Sequence, residues 1–95
     1  MEVKKQWYVY LLECKDESLY TGITIDVDKR MEVHRSGKGS KYVARKHFGR
    51  LLYTIKAVDK VDAAKMEYRI KQLVRNDKIL FFRKHPDLDY AIVKK

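Results

Sequence analysis

The sequence predicts an α+β domain in which a three-stranded antiparallel sheet is flanked by helices. Two apolar segments, Trp7–Cys14 and 19–23, are separated only by the polar residues 15–18, so they predict a β-hairpin. Helical periodicity begins only after this hairpin and lies on both sides of a third apolar segment. Helices that follow a hairpin must cover its sheet. The expected order is therefore β-β-α-β-α-α, in a single domain spanning residues 1–95.

The three predicted strands differ in their patterns. Trp7–Cys14 is almost continuously apolar, as expected of a strand that is covered on both faces. Gly22 interrupts the second strand and indicates either a bulge or a close approach of the backbone to another group. The third strand is expected at 51–58, where apolar and β-branched residues again cluster.

The first predicted helix follows the hairpin. Thr24 or Asp26 can cap its N-terminus, and the glycine-rich tract at 36–39 ends it near Arg35. Residues 40–47 form a polar, basic connection with room for one or two helical turns.

Two more helices are expected after the third strand. Asp59 or Asp62 opens the first of them, which carries the clearest apolar stripe of the chain: Ala63, Met66, Ile70, Leu73 and Val74. The second, at 78–84, is capped by Asn76 or Asp77 and stops before Pro86. Residues 86–95 are a C-terminal tail without an assignment.

Positive charge is concentrated in two segments. The chain has 22 Lys and Arg against 13 Asp and Glu, a net charge of +9. Residues 29–50 hold eight basic residues and one acid, and residues 65–84 hold seven basic residues and two acids. This clustering favours a polyanionic partner, with two solvated helix faces as the alternative.

Other features exclude several classes of protein. The single cysteine, Cys14, excludes an internal disulfide and a cysteine-based zinc site. A lone thiol is typical of a reducing compartment, so we expect a cytoplasmic protein. The apolar run at 7–12 stops at Glu13, which makes it too short for a signal peptide or a membrane span.

Glu67 breaks the pattern of its helix. It lies about 40° from Ala63 around the helix axis, at the edge of the apolar stripe. A carboxylate is costly there unless another group binds it. An ion pair with a lysine or arginine and a metal ion both meet this need, and the spacing favours the ion pair.

Arg30, His34 and the tyrosines are further candidates. Arg30 and His34 are four residues apart on one helix, so they share a face that is either solvent-exposed or turned toward a phosphate. Seven tyrosines occur in the chain, and Tyr8, Tyr10 and Tyr20 fall on the hairpin strands. They suit packing, base stacking or, beside a metal or cation, acid–base chemistry.

Taken together, these residues resemble the two-part signature of the GIY-YIG nuclease superfamily. The segments 8–10 (Tyr-Val-Tyr) and 20–22 (Tyr-Thr-Gly), nine residues apart, are similar to its two halves. Arg30, His34 and Glu67 fall where the family keeps its arginine, its His or Tyr, and its metal-binding glutamate. The resemblance covers about residues 7–75, and with the tract at 34–39 it looks most like the small stand-alone bacterial branch. Tyr8 departs from the glycine that opens the family signature.

The resemblance implies Mg²⁺-dependent hydrolysis of phosphodiester bonds in DNA, weak or structure-selective for the chain alone. Glu67 would hold the Mg²⁺ ion, and Tyr20, helped by Tyr10, would orient or deprotonate the attacking water. Arg30 would stabilise charge on the phosphoryl oxygens, and His34 would assist proton transfer or hold the phosphate. Thr21 also departs from the family, because it replaces the Ile or Val in the second half of the signature. Ile23 departs as well, since it stands where some relatives carry a lysine near the base.

The resemblance also implies a nucleic-acid partner. Gly22 would let the backbone approach closely, and the candidate nucleic-acid contacts are Lys38, Lys41, Arg45 and Lys46. We expect DNA rather than RNA, a monomeric chain and no membrane association. Two other functions stay open: a nucleic-acid-binding module with little or no nuclease activity, and an accessory subunit that needs a protein partner.

Overall fold

A three-stranded antiparallel sheet lies at the centre of the computed structural model, which describes residues 5–88. The strand order is β2-β1-β3. The elements of this range are β1 (Trp7–Cys14), β2 (Leu19–Thr24), α1 (Val27–Arg35), α2 (Lys41–Lys46), β3 (Phe48–Ala57), α3 (Lys60–Lys71) and α4 (Arg75–Lys84). The predicted α+β class and flanked antiparallel sheet are confirmed. Within 5–88, none of the helices combines the length and apolar character that crossing a membrane requires.

The central strand β1 is covered on both faces, as its apolar sequence predicts. Side chains alternate along a strand, so Val9 and Leu11 point to one face and Tyr10 and Leu12 to the other. The first pair packs in a core with residues of α3 and α4. The second pair packs in a core with residues of α1 and α2. All four side chains are buried because a layer of helix lies over each face.

The hairpin is closed by a turn that also holds the end of α2. The Ser18 backbone N–H donates to Asp16 Oδ1 at 3.0 Å, and Lys46 Nζ lies 2.9 Å from Asp16 Oδ2. Hydrogen bonds from Ser18 and Lys46 hold the pKa of the Asp16 carboxyl below its ordinary value. The Lys46–Asp16 pair therefore links the turn to the end of α2.

The connection at 40–47 forms a helix. The Ser40 hydroxyl accepts hydrogen bonds from the backbone N–H groups of Tyr42 and Val43, which caps α2. Val43 is fully buried and anchors this helix to the sheet. One buried residue in a basic segment is too weak a pattern to predict a helix from periodicity. For α1, the structure selects Asp26 as the cap, since its side chain accepts from the backbone N–H of Lys29.

Strand β3 and helix α3 depart from the predicted boundaries. β3 begins at Phe48, three residues before the predicted start, because residues 48–50 continue the ladder with the end of β1. Asp59 caps α3, and the helix ends at Lys71. Leu73 therefore lies beyond the helix and outside its buried stripe.

The end of α3 explains a second difference. The backbone N–H groups of Gln72 and Leu73 donate to carbonyls three residues back, which tightens the last turn and ends the helix. Val74, predicted as part of the apolar stripe, is 69% exposed and becomes the N-cap of α4. The predicted caps Asn76 and Asp77 are wrong, since both residues lie inside α4.

The first residues of the predicted tail lie along β3. Leu88 forms an isolated bridge with Ile55, and the Lys56 backbone N–H donates to the Asp87 carbonyl at 3.2 Å. Residues 89–95 fall outside the described part of the chain. The other sheet edge is β2, and it carries the candidate site.

Candidate active site

Tyr10 and Gly22 lie on the part of the sheet that carries the candidate site. They are directly opposite each other in the β1–β2 ladder, so their side-chain positions share one face of the sheet. A Cβ atom on residue 22 would lie 2.5 Å from Cζ of Tyr10, and closer still to its hydroxyl. The close approach that Gly22 indicates is therefore between its backbone and the Tyr10 ring, and the β1–β2 register contains no bulge.

His34 lies in the interior beneath the site. Its side chain is 1% exposed, and its Nε2 atom is 2.8 Å from the Tyr10 hydroxyl oxygen. A Cβ on residue 39 would lie 2.6 Å from Nδ1, so Gly39 leaves the space that the imidazole fills. The solvent-exposed alternative for His34 is thus wrong, because α1 turns this residue toward the sheet.

The hydrogen-bonded pair of Tyr10 and His34 is uncharged at neutral pH. Burial raises the pKa of Tyr10 to about 12, although the neighbouring Arg30 guanidinium opposes the rise. Burial, followed by the positive charge of Arg30, lowers the pKa of His34 to about 4. A neutral, buried pair of this kind can orient the adjacent Tyr20 ring.

Arg30 is half-buried above this pair. Its Nη2 group donates to the Gly39 carbonyl at 3.3 Å, which fixes the guanidinium against the glycine-rich tract. The buried Nε atom has no hydrogen-bond partner within residues 5–88. An unpaired buried donor is costly, and an anion placed beside this guanidinium would relieve that cost.

Tyr20 lies close to three other aromatic rings of the site. Its ring centroid is 6.4 Å from that of Tyr10 and 5.6 Å from that of His34. It also stacks on Tyr42 of α2, with centroids 5.8 Å apart and the planes inclined by 26°. Tyr42 is 38% exposed and was not identified from sequence. An aromatic residue inside a basic segment is the one signal that could have indicated it.

Glu67 reaches the site from α3. Its side chain is 25% exposed, and its Oε2 atom is 3.4 Å from Nζ of Lys71, one helical turn later. The negative charge of Glu67 also lies close enough to Tyr10 to contribute to the raised pKa of that phenol. The ammonium group of Lys71 is 5.5 Å from the centroid of the Tyr20 ring. Lys71 is the second site residue that sequence reasoning missed.

The structure thus groups Tyr10, Tyr20, Arg30 and His34, and Glu67 lies near this group. Tyr10, His34 and Tyr20 contact one another directly, Arg30 lies beside Tyr10, and Glu67 joins them through its effect on Tyr10 and through Lys71. The residues come from four elements, β1, β2, α1 and α3, and meet at the β2 edge of the sheet.

The four predicted nucleic-acid contacts separate into two kinds. Lys38, Lys41 and Arg45 are exposed, and within residues 5–88 none of them forms an ion pair. Lys46 differs, since it pairs with Asp16 and its ammonium lies 5.5 Å from the centroid of the Tyr42 ring. Its charge stays close to the site but is partly neutralised.

The donor set suits a magnesium ion held by one protein ligand. Residues 5–88 contain no group of three or more His, Cys, Asp or Glu side chains that could hold a metal by themselves. Mg²⁺ usually keeps several waters and is bound through one or two carboxylates together with substrate phosphate oxygens. The partly exposed Glu67 carboxylate fits that type of site.

Comparison with known proteins decides the family. The sequence pattern of the GIY-YIG catalytic domain matches residues 6–80. The chain belongs to the GIY-YIG family. A UPF0213 protein of Oceanobacillus iheyensis is 45% identical over 75 residues, which cover 79% of this chain and 87% of that protein. A UPF0213 protein of Cupriavidus necator is 42% identical over 91 residues, which cover 96% and 99%.

A solved structure is also similar to this GIY-YIG chain. The solution NMR structure of a UPF0213 protein from Bacillus halodurans shares 48% sequence identity and has a TM-score of 0.50. The match covers 80% of this chain and 81% of that one. These relatives confirm the resemblance to small single-domain members of the GIY-YIG family, a nuclease-type catalytic domain.

Proposed function

We propose that this GIY-YIG protein is a Mg²⁺-dependent endonuclease that hydrolyses phosphodiester bonds in DNA. The observation that carries the proposal is the convergence of Tyr20, Arg30 and Glu67 at the β2 edge, where each can be reached from solvent. Phosphodiester hydrolysis needs an oriented water, a positive group at the phosphoryl oxygens and an anionic ligand for a metal. These three residues provide those three functions.

The phenol of Tyr20 orients or deprotonates the water that attacks the phosphorus atom. Its ring stacks on Tyr42 and makes an edge contact with His34, and these contacts restrict the orientation of the phenol. Tyr10 and His34 remain neutral and enclosed, and we assign them a positioning role. The alternative that His34 binds the phosphate directly is disfavoured by its 1% exposure.

The Arg30 guanidinium stabilises the negative charge that gathers on the phosphoryl oxygens in the transition state. It is held in place by its bond to the Gly39 carbonyl and needs no large movement to act. Glu67 would hold the Mg²⁺ ion, whose chemistry is to polarise the phosphate and assist departure of the leaving oxygen.

The surface around the site supports binding to a nucleic-acid backbone. Among the exposed cations, Lys38 follows α1, and Lys41 and Arg45 lie on α2. Phosphate contacts position a nucleic acid without reading its sequence. We therefore propose low unaided affinity and selection by DNA structure. We further propose a monomer in a reducing compartment, where the buried Cys14 stays a free thiol.

The test is nicking of single-stranded, branched and duplex DNA by the purified chain, with and without Mg²⁺. Cleavage that requires Mg²⁺ and is lost in Arg30→Ala, by about 10²-fold or more, is the expected result. If the chain binds DNA but cleaves none of the three substrates, the result would favour the alternative function as a nucleic-acid-binding module. Cleavage that begins only on adding a cellular fraction would favour the accessory subunit.

A further inference from the structure

Lys71 is held inside the proposed site by two contacts. Its ammonium nitrogen is 3.4 Å from Glu67 Oε2 and 5.5 Å from the centroid of the Tyr20 ring. A cation near an aromatic face is attracted by the ring quadrupole, and a cation near a carboxylate is attracted by its charge. Lys71 therefore contacts the residue proposed to hold the metal and the residue proposed to orient the water.

A purely structural role explains only part of this arrangement. An i, i+4 pair of Glu and Lys near the end of a helix is favourable on any helix surface. Such a pair does not require the ammonium to lie over a tyrosine of another element. The side chain of Lys71 is 47% exposed, so it has room to leave the carboxylate.

The electrostatics of Glu67 link Lys71 to metal binding. A divalent ion on the Glu67 carboxylate would repel an ammonium that lies 3.4 Å from the same carboxylate. The two cations compete for one anionic group. A displaced ammonium would still lie within the site, where a phosphate group of the substrate also binds.

We propose that Lys71 is a positioning residue, the resident counter-ion of Glu67, which a divalent metal displaces and which then moves to a phosphate oxygen of the DNA. This inference rests on the proposed function. It adds a coupling between the binding of the divalent metal and the binding of the DNA phosphate. The metal releases a cation for the phosphate, and the phosphate draws that cation away from the metal ligand. Coupling of this kind is reciprocal, so each ligand increases the affinity for the other.

The first experiment measures metal binding without DNA. Mn²⁺ is the probe, and its affinity is read by electron paramagnetic resonance and by broadening of NMR signals at 0.1 M salt. Lys71→Met removes the competing charge and should bind Mn²⁺ about three- to tenfold more tightly than the wild type. Lys71→Arg keeps the charge and should bind Mn²⁺ with wild-type affinity.

Lys65→Met is the matched control. Lys65 lies on the same helix, carries the same charge and lines an outward groove with Val61 and Tyr68. A change in overall net charge alone would affect Lys65→Met and Lys71→Met equally. Equal Mn²⁺ affinity in the wild type and Lys71→Met, or weaker affinity in Lys71→Met, would overturn the inference.

The second experiment measures coupling. Ca²⁺ is used in place of Mg²⁺ to prevent cleavage, and binding of a fluorescent oligonucleotide is titrated with and without it. Ca²⁺ should increase DNA affinity in the wild type severalfold more than in Lys71→Met, and an equal increase in both proteins would contradict the inference.

Glu67→Gln separates this inference from the proposed function. Mn²⁺ broadening that persists in Glu67→Gln would show that Glu67 is not a metal ligand and would defeat both proposals. Absence of broadening from every variant would defeat the displacement of Lys71 by a metal alone. Broadening that Glu67→Gln abolishes but Lys71→Met leaves unchanged would defeat the role of Lys71 alone.

Discussion

Glu67→Gln should remove nuclease activity while leaving the fold almost as stable as before. The substitution keeps the shape of the side chain and removes its charge. The structure sets the cost to stability, because the Glu67–Lys71 pair is only partly buried and lies on one helix. Such i, i+4 pairs contribute about 0.3–0.5 kcal/mol. A domain of this size loses about 4–8 °C in Tm per kcal/mol, so the expected decrease in Tm is about 1–4 °C.

The expected effect on activity is much larger. Loss of the proposed metal ligand should lower the rate of Mg²⁺-dependent nicking by on the order of 10²-fold or more. DNA affinity should hold or rise slightly, because one negative charge leaves a basic surface. The measurements are a thermal melt, a nicking assay and an oligonucleotide titration on one preparation.

A matched control is available on α1. Glu32 pairs with Arg35 at 2.8 Å, three residues apart, and its side chain is 73% exposed. Glu32→Gln should lower Tm by a similar small amount and leave nicking unchanged. Full nicking activity in Glu67→Gln would refute the metal-ligand assignment. A decrease in Tm above about 10 °C would refute the calculation, since it would require a buried network around Glu67.

Three further predictions concern the interior and the basic surface. Gly22→Ala should lower stability by about 1–3 kcal/mol and reduce nicking, because the new Cβ displaces Tyr10; an unchanged melting curve would contradict the packing described above. The pKa of His34 is lowered to about 4, so its contribution to stability is complete above pH 6.5 and is lost as the pH falls through 4. Urea unfolding of the wild type should therefore show an acid loss of about 3 kcal/mol that His34→Gln lacks, and parallel pH profiles would argue against a buried neutral imidazole. DNA affinity should fall with salt by a log–log slope of about −0.9 per neutralised phosphate, and Lys41→Glu should weaken binding more than Lys5→Glu; equal effects would place the DNA elsewhere.

The sequence by itself determined the class of fold and most of its elements. β1 could be assigned, with both of its bounds, because a continuously apolar strand must be covered on both faces. Asp26 and Asp59 were among the predicted caps because a side-chain oxygen before an apolar stripe satisfies free helix N–H groups. Strand burial patterns and helix caps can be predicted because they depend on residues that are adjacent in the sequence.

Helix ends and α2 depended on contacts that the sequence does not display. α2 exists because Ser40 caps it and the single buried residue Val43 anchors it, and neither gives a periodic signal. α3 ends at Lys71 because its last turn tightens, although an apolar residue follows at 73. Cap and backbone hydrogen bonds set these helix ends, and burial of Val43 stabilises a helix that is too short to be stable alone.

In the candidate site, the residues could be identified from the sequence, but their contacts could not. Tyr10, Tyr20, Arg30, His34 and Glu67 could be named from spacing and resemblance, because each sits at a fixed position in a recognisable pattern. Which of them touches which was decided only by the fold. A strand pairing placed the Tyr10 ring over Gly22, and burial made Tyr10 and His34 a neutral pair.

The contacts that Tyr42 and Lys71 make with Tyr20 could be found only in the tertiary structure. Tyr42 lies in the segment interpreted as a polar, basic connection, and Lys71 follows Ile70 of the apolar stripe. Each reaches Tyr20 across a distance that no sequence spacing encodes. The physical reason is that side-chain contacts between separate elements depend on how those elements pack. The sequence determined the chemical groups that this protein possesses, and the packing of α2 and α3 against the edge of β2 decided which of them meet at one site.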